Sequence, residues 1–437
     1  MKWTRILWVV ILLAANSGAS WSQKQSEDSL HNYRFPDFFV LDTQLHNTFP
    51  FVHFEANHFK FFSTASPNWF LLYKKFTSMV LNQNGKLNFY HIGGSHVQAD
   101  LYTHDIRTYL QSHWNGLPGE RGFVFPFSLT KTNNPANYKF TSSNLWTYYR
   151  NVTKVNPTLE FGLLGAVVGC SDSILDIHFN YRATQVQPPF NQIKIFHAKG
   201  DFPFELSLNQ YDSLIIKQVH NPIEGFTEIY LGKNIQDFNL KIVRTTPIKT
   251  EFQLSAFQLK NELPGIAYNA IGINGAAVWN YLDCPNFEEQ LRESPPDFFA
   301  FCIGTNDANM PYADFNPEQY KTNLELLINK VLKTNPNCAI LMTVPNDSYY
   351  HRSSLNRNIA RQREVIIELA QQYECPIWDF YGIMGELGSS KTWLRSRLMR
   401  DDLVHFTAKG YHLKGDLYFD AFLKWLSQMD TLSDNNK

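Results

Sequence analysis

The sequence predicts a parallel α/β sheet interrupted by an antiparallel β-sandwich, and three observations carry that prediction. Nearly continuous apolar runs at 87–92, 297–303 and 338–344, the pattern of strands buried on both faces, alternate with amphipathic helical stretches. Polar or glycine-rich clusters follow the ends of these runs, where binding sites form in such sheets. Between about Gly116 and Glu262 the helical period is lost, and short alternating runs are separated by turn-forming Asn, Gly, Pro and Asp.

Taken in order, Lys2 and Arg5 precede an apolar run over 6–15 and small residues over 17–20. This is the layout of a secretory signal peptide spanning 1–20, too short to anchor in a bilayer. With cleavage near Ser20 and no cysteine beside it, the mature protein is expected in the periplasm or secreted, with no lipid anchor and no later membrane span. Residues 21–65 lack a period and are expected to form an N-terminal arm. Residues 68–81 place Phe70, Tyr73, Phe76 and Val80 at helical spacing. The strand over 87–92 runs into Gly93, Gly94 and Ser95, and a helix is expected from Val97 to about His113. The main α/β domain thus spans 66–115 and resumes over 263–428, before a tail at 429–437. The insert, 116–262, carries strand-like runs at 174–181, 192–197, 204–208, 213–218, 227–231, 240–244 and 250–259. After it, strands are expected at 265–273, 297–303, 338–344 and 376–380, and helices at 317–332 and 359–370. A last helix is opened by the N-cap Thr407 and buries Tyr411, Tyr418, Phe422 and Trp425.

The formal net charge of −1 becomes about −3 once Lys2 and Arg5 are removed, which argues against a nucleic-acid partner. Five cysteines, Cys170, Cys284, Cys302, Cys338 and Cys375, are widely spaced. Their odd number argues against a disulfide framework, and no CxxC pair or His/Cys cluster suggests a metal. No cofactor is expected.

Chemistry concentrates in four clusters at strand ends: Gly93-Gly94-Ser95-His96, Gly272-Ile273-Asn274-Gly275-Ala276, Gly304-Thr305-Asn306-Asp307, and Asp401-Asp402-Leu403-Val404-His405. Each has a structural alternative, namely a turn glycine, a helix cap or a solvated pair. Together they supply a serine at a strand end, a helix N-terminus to stabilise an oxyanion, a histidine and a carboxylate three residues before it. In this order the clusters resemble the four sequence blocks of the SGNH (GDSL-like) hydrolase superfamily over roughly 66–115 and 263–428. That resemblance implies the three-layer α/β/α fold of the family, here with an inserted antiparallel β-sandwich. It implies Ser95 as nucleophile, His405 as general base and Asp402 as the carboxylate that orients it. The Ser95 and Gly275 backbone N–H groups and the Asn306 side-chain amide would be the oxyanion donors. Asp401 does not fit the spacing. A subgroup with histidine after the serine and a β-rich insert is similar too, and looks like the peptidoglycan O-acetylesterases; residues 119–126, with Thr132 and Asn133, resemble the start of that insert.

The resemblance implies a secreted serine esterase acting on an acetylated polysaccharide, peptidoglycan before acetylated xylan. One departure stands out: the family's Asp before the nucleophile is Gly94 here, which supports the alternative of a non-catalytic glycan-binding protein on a decayed esterase scaffold. An acetyltransferase using the same acyl-enzyme is a further alternative. His96 and Trp146 are candidate substrate contacts. Against them stand a hydrogen-bonded structural histidine and a sandwich-core aromatic, the reading that also competes for Tyr148 and Tyr149.

Overall fold

The computed structural model describes residues 43–63, 66–153, 159–182 and 187–435. The expected signal peptide over 1–20 and the first half of the expected arm lie outside the described residues. A five-stranded parallel sheet forms the centre, with β1 (Lys86–Gly93), β2 (Gly265–Gly272), β3 (Phe298–Cys302), β4 (Ala339–Val344) and β5 (Ile377–Asp379) in the spatial order β2-β1-β3-β4-β5. The alternation of side chains along each strand divides the core in two. Leu87, Phe89, Tyr268, Phe298, Ala300 and Leu341 face the helices Pro67–Asn82, Tyr102–Ser112 and Ala408–Asn435. Tyr90, Ile92, Ile271, Phe299, Phe301 and Met342 face the helices Pro317–Thr334 and Asn358–Gln372. This is the α/β/α layering expected from near-continuous apolar runs.

The second of these cores runs without a break into the insert. There a seven-stranded antiparallel sheet faces a four-stranded one made of Tyr138–Thr141, Ile174–Tyr181, Asp237–Arg244 and Phe204–Ser207. Aromatic stacking fills the sandwich: Phe140 lies on Phe257 at 5.2 Å and Phe179 on Phe238 at 5.3 Å. Every insert strand expected from the alternating pattern is present, within a few residues. Gly122–Val124, Tyr138–Thr141, Thr147–Arg150 and Ala166–Cys170 are further strands that the pattern did not single out. They are three to five residues long, too short for a period of two to stand out. The described part of the arm packs on the main domain: Lys60 bridges to Ile377 on β5, and Asn57 is buried, donating to Asp420 and accepting from the Trp378 indole. All five cysteines are free.

One correction concerns the helix after Ser95. It is not continuous from Val97 to His113; a short helix, Ser95–Gln98, ends at Asp100, whose φ of +45° breaks it, and a second begins at Tyr102. A buried polar cluster supplies the physical reason. Both oxygens of the Asp100 carboxylate accept from Arg107 Nη2 (2.9 and 3.0 Å), and the group also accepts from Arg121 of the insert (3.0 Å), from Asn137 (2.9 Å) and from Thr103 (2.6 Å). Burial alone would raise its pKa, but the two guanidinium groups hold it well below the usual carboxylate range. A continuous helix would aim that carboxylate elsewhere. Removing it leaves two buried cations uncompensated, so Asp100→Ala is expected to destabilise the fold by roughly 3 to 5 kcal/mol in a urea titration followed by tryptophan fluorescence.

Candidate active site

The β1 strand delivers Ser95 to the carboxyl edge of the sheet, and close backbone packing fixes it there. A Cβ on Gly272, at the end of β2, would lie 2.3 Å from the Gln98 amide nitrogen, so the short helix carrying Ser95 sits directly against that glycine. The Tyr281 hydroxyl donates to the Gly93 carbonyl (2.9 Å), and the Gly94 carbonyl accepts from the amides of Val97 and Gln98.

Ser95, His405 and Asp402 are brought into one hydrogen-bonded line. Ser95 Oγ lies 2.8 Å from His405 Nε2, and His405 Nδ1 lies 3.0 Å from Asp402 Oδ2. The other Asp402 oxygen accepts from the backbone amides of Val404 (2.9 Å) and His405 (2.8 Å). Burial pushes the Asp402 carboxyl up, but the hydrogen bonds from His405 and these amides outweigh it and hold the group well below the usual range. Asp402 is therefore ionised at neutral pH and can only accept, so the imidazole proton sits on Nδ1 and leaves Nε2 free to accept from the serine. The loop is held by the Arg400 amide on the His405 carbonyl (2.8 Å) and by the Asn346 carboxamide on the Val404 carbonyl (3.2 Å).

The expected oxyanion donors lie on two other loops. Gly275 is exposed and has a φ of +87°, a left-handed conformation that costs a glycine nothing. Asn306 Nδ2 donates to the Ala276 carbonyl at 2.9 Å, which ties it to the Gly275 loop and leaves its second amide hydrogen available. At the departing position, a Cβ on Gly94 would lie 3.0 Å from Asn306 Nδ2 and 3.3 Å from the Ala276 carbonyl. The Asn306 amide thus occupies the space beside Gly94.

His96 is placed among the buried groups, 6% exposed, with Nδ1 2.9 Å from the Tyr411 hydroxyl and its ring 5.2 Å from that of His405. Burial, then the charges of Lys414 and His405, keep it below its ordinary pKa and neutral. It backs the His405 ring and is not presented at the surface. Trp146 lies on the sandwich, edge-on to Phe252 and donating to Ser142 Oγ (2.8 Å), and none of these contacts is to the four clusters. Two residues inside the quoted clusters gain roles that the sequence did not assign. Asp307 is buried and accepts from the Val278 amide (3.1 and 3.2 Å), and Asn274 bonds to the insert. Among the described residues no group of three or more His, Cys, Asp or Glu is arranged to hold a metal, and no helix is long and apolar enough to cross a membrane.

Residues 252–413 match the family model described as GDSL-like lipase/acylhydrolase. A solved peptidoglycan O-acetylesterase has the same fold, with a TM-score of 0.65 over 85% of this chain and 99% of its own, at 19% identity. A lipase/acylhydrolase from Enterococcus faecalis (TM-score 0.29, 19% identity, 38% of this chain and 77% of its own) and the acetyl xylan esterase AlAXEase (TM-score 0.29, 19% identity, 36% and 81%) are similar over a smaller part of the chain. No curated protein matches the sequence.

Burial raises the Asp307 carboxyl to about 7, a rise only partly offset by the Val278 amide. Between the ordinary value of 3.8 and about 7 the folded protein holds a proton that the unfolded chain has released. Ionisation therefore costs stability as pH rises through that window, by up to about 4 kcal/mol. Thermal midpoints measured from pH 4 to 7 are expected to fall more steeply for the wild type than for Asp307→Asn, which keeps an acceptor for Val278 without the charge.

Proposed function

We propose that this SGNH-type ester hydrolase, which carries the GDSL-like lipase/acylhydrolase domain over residues 252–413, removes O-acetyl groups from a polysaccharide, peptidoglycan in the first instance, through a Ser95 acyl-enzyme. The observation that carries the reading is the unbroken line from Asp402 through His405 to Ser95, at 3.0 and 2.8 Å. The fold similarity to a peptidoglycan O-acetylesterase, over 85% of this chain, supports the choice of polymer.

In this reading His405 Nε2 takes the Ser95 proton as Oγ attacks the acetyl carbonyl carbon. The developing oxyanion meets the Ser95 and Gly275 N–H groups and the spare hydrogen of Asn306 Nδ2. Collapse of the tetrahedral adduct expels the sugar oxygen, which takes the proton from His405. Water, deprotonated by the same nitrogen, then attacks the acetyl-serine and releases acetate, returning the proton to Ser95. Asp402 stays ionised throughout and stabilises the transient imidazolium. The insert over 116–262 holds the glycan, and residues 1–20 direct the protein out of the cytoplasm. The competing reading, a glycan-binding protein without turnover, rests on Gly94.

The test is acetate release from O-acetylated peptidoglycan and from a small aryl acetate. Both are expected to be cleaved by the wild type and neither by Ser95→Ala. Asp402→Asn should lower kcat by on the order of 10⁴-fold, through the wrong imidazole tautomer. Asn306→Ala should lower it by roughly 10² to 10³-fold with little change in KM. Cleavage of the aryl ester alone would redirect the search to acetylated xylan and related glycans. Absence of both activities would transfer the reading to the binding protein.

A further inference from the structure

Gln98, three residues after Ser95 and 2% exposed, spends its whole carboxamide on two other segments. Its Oε1 accepts from the Asn274 amide at 2.7 Å, the residue just before Gly275. Its Nε2 donates to the Asn133 carbonyl (2.9 Å) and to Thr132 Oγ1 (3.2 Å), both in the insert. The Asn274 side chain closes the ring by donating to Thr132 Oγ1 (2.8 Å) and to Asn133 Oδ1. Gln98 is itself fixed to the nucleophile turn through its own amide on the Gly94 carbonyl (3.0 Å).

Three chain segments far apart in sequence therefore meet at one carboxamide. Gly275 is exposed and follows the half-buried Asn274, and its left-handed conformation is freely accessible to glycine, so no side chain of its own holds the direction of its N–H. The 2.7 Å bond from Asn274 to Gln98 holds the preceding peptide, and Thr132 holds Gln98 from the other side. We propose that Gln98 and Thr132 are positioning residues that aim the Gly275 N–H, so that the β-insert supports the chemical step as well as holding the glycan. This inference rests on the oxyanion role assigned to Gly275 above.

A small aryl acetate separates the two contributions, because it needs no glycan contact. Thr132→Val removes the hydroxyl while keeping the shape, Thr132→Ser keeps the hydroxyl, and Gln98→Ala removes the hub. Thr132→Val and Gln98→Ala are expected to lower kcat on the aryl ester by about 10- to 100-fold with KM within about twofold, as for a lost transition-state contact. They should weaken binding of a small alkyl boronic acid, which forms a tetrahedral adduct on serine, in the same proportion, and speed amide hydrogen exchange in the peptide spanning 272–277. Thr132→Ser should retain wild-type values in all three, which a general packing defect would not produce. Variants that turn the aryl ester over at the wild-type rate, or that lose only KM, overturn the positioning role and leave the esterase reading standing. A wild-type protein without turnover overturns the esterase reading and this inference with it, while the exchange measurement still reports whether the clamp holds the loop.

Discussion

The structure depends on one buried carboxylate. Asp100 sits where the helix carrying Ser95 must stop, and it is the common acceptor for Arg107 of the next helix and for Arg121 and Asn137 of the insert. Among the described residues none of those three donors has another carboxylate partner, and Arg121 is fully enclosed, its guanidinium lying 5.0 Å over the Tyr138 ring. Two buried cations against one anion is a costly arrangement unless its geometry is fixed. Its consequence is that the insert cannot shift relative to the Ser95 turn without leaving a guanidinium unpaired. A binding module joined by flexible linkers would need no such device.

The same economy appears in the apolar core. The strands present Tyr90, Ile92, Phe299 and Phe301 to one face, and this core continues through Phe123 and Phe196 into the sandwich. Phe123 stacks on Phe196 at 5.6 Å, and Tyr90 stacks on Phe299 at 5.7 Å. Across the junction Tyr90 of β1 lies 6.4 Å from Phe123 of the insert, so aromatic packing continues from one part into the other. The aromatic content that is equally consistent with sugar-binding faces is in these cases core.

What was legible in the sequence follows from the range of the forces involved. The long strands were legible because burial on both faces leaves an unbroken apolar run, and the first three clusters because each ends such a run with Gly, Asn or Asp. The fourth, with Asp402 and His405, lies not at a strand end but in the loop between the helix Ser389–Arg395 and the last helix, and stood out only by its Asp and His. The arrest of the helix at Asp100 was not legible. Residues 97–113 have acceptable helical spacing, and the stop is imposed by arginines 7 and 21 positions away in sequence. The role of Gln98 was hidden for the same reason: it lies inside the stretch around Ser95, yet its partners Asn274 and Thr132 are separated from it by 176 and 34 residues. Local pattern carries local structure and apolar faces; a polar residue's role depends on partners that only the fold brings near.

Gly94 illustrates how a lost side chain can be compensated by its surroundings. An aspartate there would brace the turn from one side, and its absence is the sole sequence argument for a decayed site. The turn is braced from elsewhere: the Gly93 carbonyl by the Tyr281 hydroxyl, the Gly94 carbonyl by two helical amides, and Ser95 Oγ by His405. The space a side chain would fill is occupied by the Asn306 amide, 3.0 Å from where the Cβ would stand. With that amide anchored on the Ala276 carbonyl, the glycine leaves room for a donor that a bulkier residue would press aside. The departure therefore weighs less against catalysis than the sequence alone suggests, because the conformational freedom glycine adds to the unfolded chain is removed in the folded state by bonds from three separate segments.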